Sequence, residues 1–166
     1  MKLKDHRVIL NAQKASYPAE APFGPEGNAL YQSVAELIKT AYPASDGNYL
    51  GALIKPGDKV VIKPNVVKAS HERKEKEWEQ VVTHGAVVRA VIDHVLAALK
   101  GEGEVIVAEA PQTDTPFNVA MERCGIKAVV VSVFPTHHSS DLSVLCQIVA
   151  IPDLSAIGSS WRQRRK

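Results

Sequence analysis

Lys63-Pro64-Asn65, Thr83-His84-Gly85 and Glu109-Ala110-Pro111-Gln112 are the stretches of this chain whose residue types suit the handling of a small polar molecule. Lys63 follows the apolar run Val60-Val61-Ile62. An ammonium there cannot stay unpaired in a core, so it reaches water or meets an anion. That anion is either a ligand's phosphate or carboxylate, with Lys63 as its charge stabiliser, or the side chain of Glu109, in a structural pair. Asn65 offers both donor and acceptors at the strand tip. Thr83, His84 and Gly85 open a strongly periodic stretch, where free backbone amides and the positive end of a helix favour an anion. Thr83 is the expected cap there, and Gly85 leaves the backbone open. A positive helix end also favours a neutral imidazole, so His84 is a candidate for proton transfer, as is the Glu109 carboxylate. Lys63, Asn65, Thr83, Gly85 and Gln112 are the candidate ligand-binding residues. The same residues have a non-catalytic reading, in which a Lys63–Glu109 pair and a helix cap merely hold the fold.

Other chemistry is poorly served. Neither a GxGxxG nor a GxxxxGK[ST] pattern occurs, so the standard nucleotide fingerprints do not apply. A single histidine gives no metal-ligand spacing, and no metal site is expected. Asp114, in a Thr-rich turn, reads as an Asx-turn residue rather than a second reactive carboxylate. His137 and His138 are adjacent, and neighbours on a strand face opposite ways.

The clusters matter jointly because of the elements between them. A strand over Lys59 to Lys63, a helix from Thr83 and a strand over Glu104 to Ala108 make a βαβ unit with parallel strands. Both strand ends and the helix start then share one edge, where open α/β sheets bind ligands. Val87, Val88, Val91, Ile92, Val95, Leu96 and Leu99 form the helix's apolar stripe, with Gly101 as the stop. Around this unit the patterning predicts a strand in Arg7 to Gln13 and a helix from Asn28, its cap, to Tyr42. It also predicts a turn at Lys55-Pro56-Gly57-Asp58, a helix from Phe117 to Cys124 ended by Gly125, and a strand from Ala128 to Phe134. The expected fold is α/β, a three-layer Rossmann-like domain with a mostly parallel sheet over residues 1–134. The mixed charges from His71 to Glu79 read as a solvated surface excursion, or as a flap over the site edge, since it joins two of the clusters. Trp78 is the residue in it able to pack on a ligand or on the protein.

The chain has 166 residues, 45% hydrophobic and 23% charged, with a net charge of +2, which is ordinary for one soluble domain. Near balance of charge gives no general argument for a nucleic-acid or membrane partner. The charged start lacks the apolar core of a signal peptide, and no apolar run spans a bilayer, so cytoplasm is the expected location. Cys124 and Cys146 read as lone thiols. Residues 135–166 differ from the rest: Ser-rich pieces, an apolar run Val144 to Ile151, and a basic end of Arg162, Arg164, Arg165 and Lys166 that reads as a solvated terminus rather than a nucleic-acid contact.

Gly57 to Val67, Thr83 to Asp93 and Gly101 to Pro111 together resemble the bacterial and archaeal family known as domain of unknown function 362. The resemblance runs from about Val8 to Ile126. The family pattern has Gly-Asp where this chain has Ala108-Glu109, which keeps the acid on a longer arm. Some members carry ferredoxin-like segments, but two cysteines are too few for a four-thiolate cluster, so no iron–sulfur cofactor is expected. The resemblance implies no particular activity; the α/β fold and the anionic small-molecule partner are what the residues and their spacing lead one to expect. The Pro22-Phe23-Gly24-Pro25 segment is similar to a branch associated with polysaccharide biosynthesis. Because the resemblance fades after Ile126, the expectation is a truncated chain with a non-native tail over residues 135–166.

Overall fold

The computed structural model describes residues 8–12, 16–71, 73, 78–112, 114–134 and the strand 143–150. The first helix, α1 (Ala29–Ala41), starts where the sequence predicts: the Asn28 side chain accepts from the Tyr31 amide at 3.0 Å and donates to the Phe23 carbonyl at 3.1 Å. Such a cap satisfies an amide that the helix itself leaves without a partner. The turn into β1 (Lys59–Ile62) is closed by the Lys55 amide donating to Asp58 Oδ2 at 2.7 Å, with Gly57 at φ +87°. Positive φ costs glycine nothing, which is why the turn falls there. Next come α2 (Gly85–Leu99), β2 (Glu102–Glu109), α3 (Phe117–Arg123), α4 (Ile126–Val133) and β3 (Ser143–Ala150).

The three strands form one parallel sheet in the order β1-β2-β3. Val60 lies opposite Val105 and Ile62 opposite Val107, while Glu102 to Glu109 run beside Ser143 to Ala150. The parallel pairing of β1 with β2 brings their carboxyl ends to one edge, as the βαβ reading requires. The Val144–Ile151 run falls largely within β3.

Among the described residues, two expected strands are absent. Residues 8–12 carry no strand, and Val8 and Leu10 are 80% and 88% exposed. An apolar triplet such as Val8-Ile9-Leu10 becomes a strand only where a partner edge accepts it. Ala128 to Phe134 lies in the helix α4 and its C-cap, although Val129-Val130-Val131 favours strand. Gly125, at φ +76°, turns the chain, and Ile126, Val129 and Val130 then fall at helical spacing into the core while Val131 is left exposed. Burial of that stripe outweighs a propensity difference of a few tenths of a kcal/mol per residue.

Helices α2 and α4 pack on each other and on strands β2 and β3 respectively, and α1 packs on α2. Val60, Ile62, Val105 and Val107 meet this helical side, with Ile92, Val95, Leu99, Ile126 and Val129 as its deep core. On the opposite face Val61 is 55% exposed. Sequential strand order explains this arrangement. Two crossovers of the same hand and direction put their helices on the same side of a sheet. Helices on both sides would require the strand order to reverse, which does not happen among the described strands. No described helix is long and apolar enough to cross a membrane.

Candidate functional site

Glu109 ends β2 with its side chain 5% exposed. Three donors meet its carboxylate: Lys63 Nζ at 2.8 Å and the Val66 amide at 3.0 Å on Oε2, and the Ala110 amide at 2.7 Å on Oε1. These contacts tie the loop after β1 to the end of β2. Lys63 also donates to the Pro64 carbonyl at 3.2 Å, and its side chain is 63% exposed. An ammonium has three N–H donors, so one remains to be directed outward.

The loop after β1 is equally tied to the start of α2. The Thr83 amide donates to the Asn65 carbonyl at 2.6 Å, the Asn65 amide donates to Thr83 Oγ1 at 2.8 Å, and the Val67 amide donates to the Val81 carbonyl at 3.0 Å. With the antiparallel bridge between Val66 and Val82, these bonds close the neck of the excursion that the charged stretch makes. The Gln112 amide reaches the Val67 carbonyl at 3.1 Å, so the loop after β2 joins the same ladder. All three sequence clusters are therefore hydrogen-bonded into one edge.

Thr83 is not the helix cap. Its hydroxyl is turned to Asn65, and His84 caps α2 instead, with Nδ1 accepting from the Ala86 amide at 3.1 Å. That bond leaves the neutral imidazole's proton on Nε2. His84 is 5% exposed, stacked on Tyr17 (centroids 4.3 Å apart) and Trp78 (5.9 Å), with Phe23 tilted against it. Burial pulls its pKa below the ordinary value, and the nearby Glu79 partly opposes this. The expected direction is found, but desolvation is its main cause rather than the helix end. Gly85 is also in the core. Its amide, expected to be open to a ligand, donates to the Cys124 carbonyl at 2.7 Å, and a Cβ there would stand 2.8 Å from that oxygen.

The open surface at this edge is a groove of three adjoining hollows. The first, about 290 Å³, is lined by Lys63, Asn65, Val66, Glu109 and Gln112 among others. It shares Val67 and Gln112 with a second of about 350 Å³, where Lys68, Ser70, His71 and Arg73 gather. A third, of about 330 Å³, extends past Lys68 and Ser70 to Asp114 and Thr115. His84, Thr83 and Gly85 line none of them. Lys63, Asn65, Glu109 and Gln112 do meet in the first. The second hollow's cations belong to the excursion and were not singled out from the sequence. The available signal was topological: that excursion leaves from one cluster and returns to another. Asp114 lies 3.5 Å from Lys68 Nζ. Among the described residues, no three histidine, cysteine or carboxylate side chains come together as a metal site.

The family model described as Domain of unknown function (DUF362) matches residues 60–144, from β1 through α4 to the beginning of β3. The match starts later than Val8 and continues beyond Ile126, across the helix α4 that the sequence patterning had taken for a strand. Neither the curated proteins nor the solved structures include a match to this chain. The matched stretch is just over half of the 166 residues and contains all the candidate residues named above, and the chain belongs to the DUF362 family.

Proposed function

We propose that this protein binds an anionic small molecule in the groove at the carboxyl ends of β1 and β2. The observation that carries this reading is the state of Glu109. Its carboxylate is occupied by three donors, so the acid at the floor of the first hollow is fully hydrogen-bonded and Lys63 is held in place with a donor to spare. Asn65 and Gln112, both exposed on the same hollow, add neutral hydrogen-bonding groups. Glu109 acts here as the group that orients Lys63, and His84 as the buried cap that fixes the start of α2 behind the groove.

Titration of the protein with malonate by calorimetry tests this reading. Saturable binding is expected, weakened about tenfold or more in Lys63→Ala, because a charge-assisted hydrogen bond contributes roughly 1.5–3 kcal/mol. A second reading has its own support: the Lys63–Glu109–Val66 clasp would close the strand ends in a purely structural module. Malonate binding that is absent, or unchanged in Lys63→Ala, would favour that module.

A further inference from the structure

The second hollow differs in chemistry from the first. Lys68, Ser70, His71 and Arg73 supply an ammonium, a hydroxyl, an imidazole and a guanidinium, over a floor that includes Val67 and Val81. The tautomer of His71 is set locally: its Nδ1 accepts from the Arg73 amide at 3.2 Å, so in the neutral ring the proton sits on Nε2, a donor. Among the described residues no carboxylate is paired with the Arg73 guanidinium, whereas Lys63 has Glu109 and Lys68 has Asp114 beside it. A planar fork of N–H donors next to an imidazole N–H and a hydroxyl matches the several acceptor oxygens of a phosphoryl group better than the two of a carboxylate. The base of the excursion is anchored on both sides, by its hydrogen-bonded neck and by Arg123 Nη1 donating to the Ala69 carbonyl at 2.8 Å.

We infer that the ligand is a small soluble phosphate monoester, its phosphoryl group seated by Arg73, His71, Ser70 and Lys68 and its other end lying past Gln112 toward Lys63. This deepens the anion-binding reading and rests on it for the Lys63 end. The two hollows share Val67 and Gln112, so one molecule can lie across both.

Calorimetric titrations with inorganic phosphate, malonate and 2-phosphoglycolate, on the wild type, Arg73→Ala and Lys63→Ala, separate the two ends. Arg73 is exposed, so its removal leaves the fold intact, which circular dichroism checks. Arg73→Ala should weaken phosphate and 2-phosphoglycolate about tenfold or more and malonate by less than about threefold. Lys63→Ala should weaken malonate and 2-phosphoglycolate while sparing phosphate. In the wild type, 2-phosphoglycolate should bind more tightly than either single-group probe. Phosphate that fails to bind, or that binds wild type and Arg73→Ala alike, overturns the phosphoryl seat, even if malonate still depends on Lys63 and the earlier reading stands. Phosphate that depends on Arg73 while malonate never binds supports the seat and removes the Lys63 reading instead. Phosphatidylcholine vesicles carrying phosphatidic acid should not bind; Arg73-dependent binding to them would overturn the soluble ester in favour of a lipid headgroup.

Discussion

Glu109 and Lys63 form one ion pair, but the two residues stand in different surroundings, and their removal should have different costs. The lysine side chain is 63% exposed and the glutamate 5%. Without Lys63 the carboxylate keeps the Val66 and Ala110 amides as donors, so Lys63→Ala should change stability by no more than about 1 kcal/mol. Glu109→Ala leaves the amide of buried Val66 without its acceptor and should cost about 1–3 kcal/mol. Urea denaturation of the two variants checks this; equal or reversed losses would show that the ammonium, not the carboxylate, holds the loop. His84 gives a pH signature. Burial sets its folded-state pKa below the ordinary 6.5, so the unfolded chain binds more protons between those two values. Its contribution to stability is complete above about pH 6.5 and is lost as the pH falls through the folded-state value. In His84→Asn, where the new side chain can still cap α2, that part of the loss should vanish. Urea midpoints for both proteins at pH 7.5 and 5.5 measure it, and parallel declines would show that His84 does not titrate in this way.

At the scale of elements, the start of α2 serves as a junction. Gly85 lets the helix approach the α3–α4 corner so closely that a Cβ would stand 2.8 Å from the Cys124 oxygen and the Gly125 carbonyl carbon, and 2.9 Å from the Phe23 ring. In an open helix, Gly→Ala would gain about 1 kcal/mol. Here the backbone atoms cannot give way, and Gly85→Ala should instead destabilise by about 1–3 kcal/mol, read as a lowered thermal midpoint. A rise in midpoint would show that the corner is looser than this. The same junction explains which parts of the site were legible in sequence. Lys63, Asn65, Glu109 and Gln112 sit at strand ends, which hydrophobic runs and Pro64 and Pro111 mark clearly. The cap of α2 falls one residue beyond the Thr83 that the sequence predicts, because Thr83 and His84 are both able to accept from an amide and only the pairing of Thr83 with Asn65 leaves the task to His84. Lys68, His71 and Arg73 were hidden in a charge-rich excursion whose return path is set by bonds at its neck.

For the molecule as a whole, β2 is the central strand, bonded to β1 on one side and to β3 on the other. The amides of β3 that face β2 should therefore exchange with solvent about as slowly as those of β1, which hydrogen exchange on the intact chain can measure. Exchange of residues 143–150 at unprotected rates would show that β2 presents a free edge. The sequence by itself determined the elements whose signals are local: the Asn28 cap, the Gly57 turn, the apolar stripe of α2, the apolar runs of β1 and β2, and the helix closed by Gly125. Each of these is dictated by backbone freedom, capping chemistry or periodicity within a few residues. Tertiary structure alone decided that Val8 to Leu10 is no strand and that Ile126–Val133 is a helix, since both depend on whether a partner surface is present to bury their apolar side chains. It also decided that His84 and Gly85 lie behind the groove while Arg73 lies in it. Those placements follow from hydrogen bonds and packing between segments far apart in the chain, which no local pattern encodes.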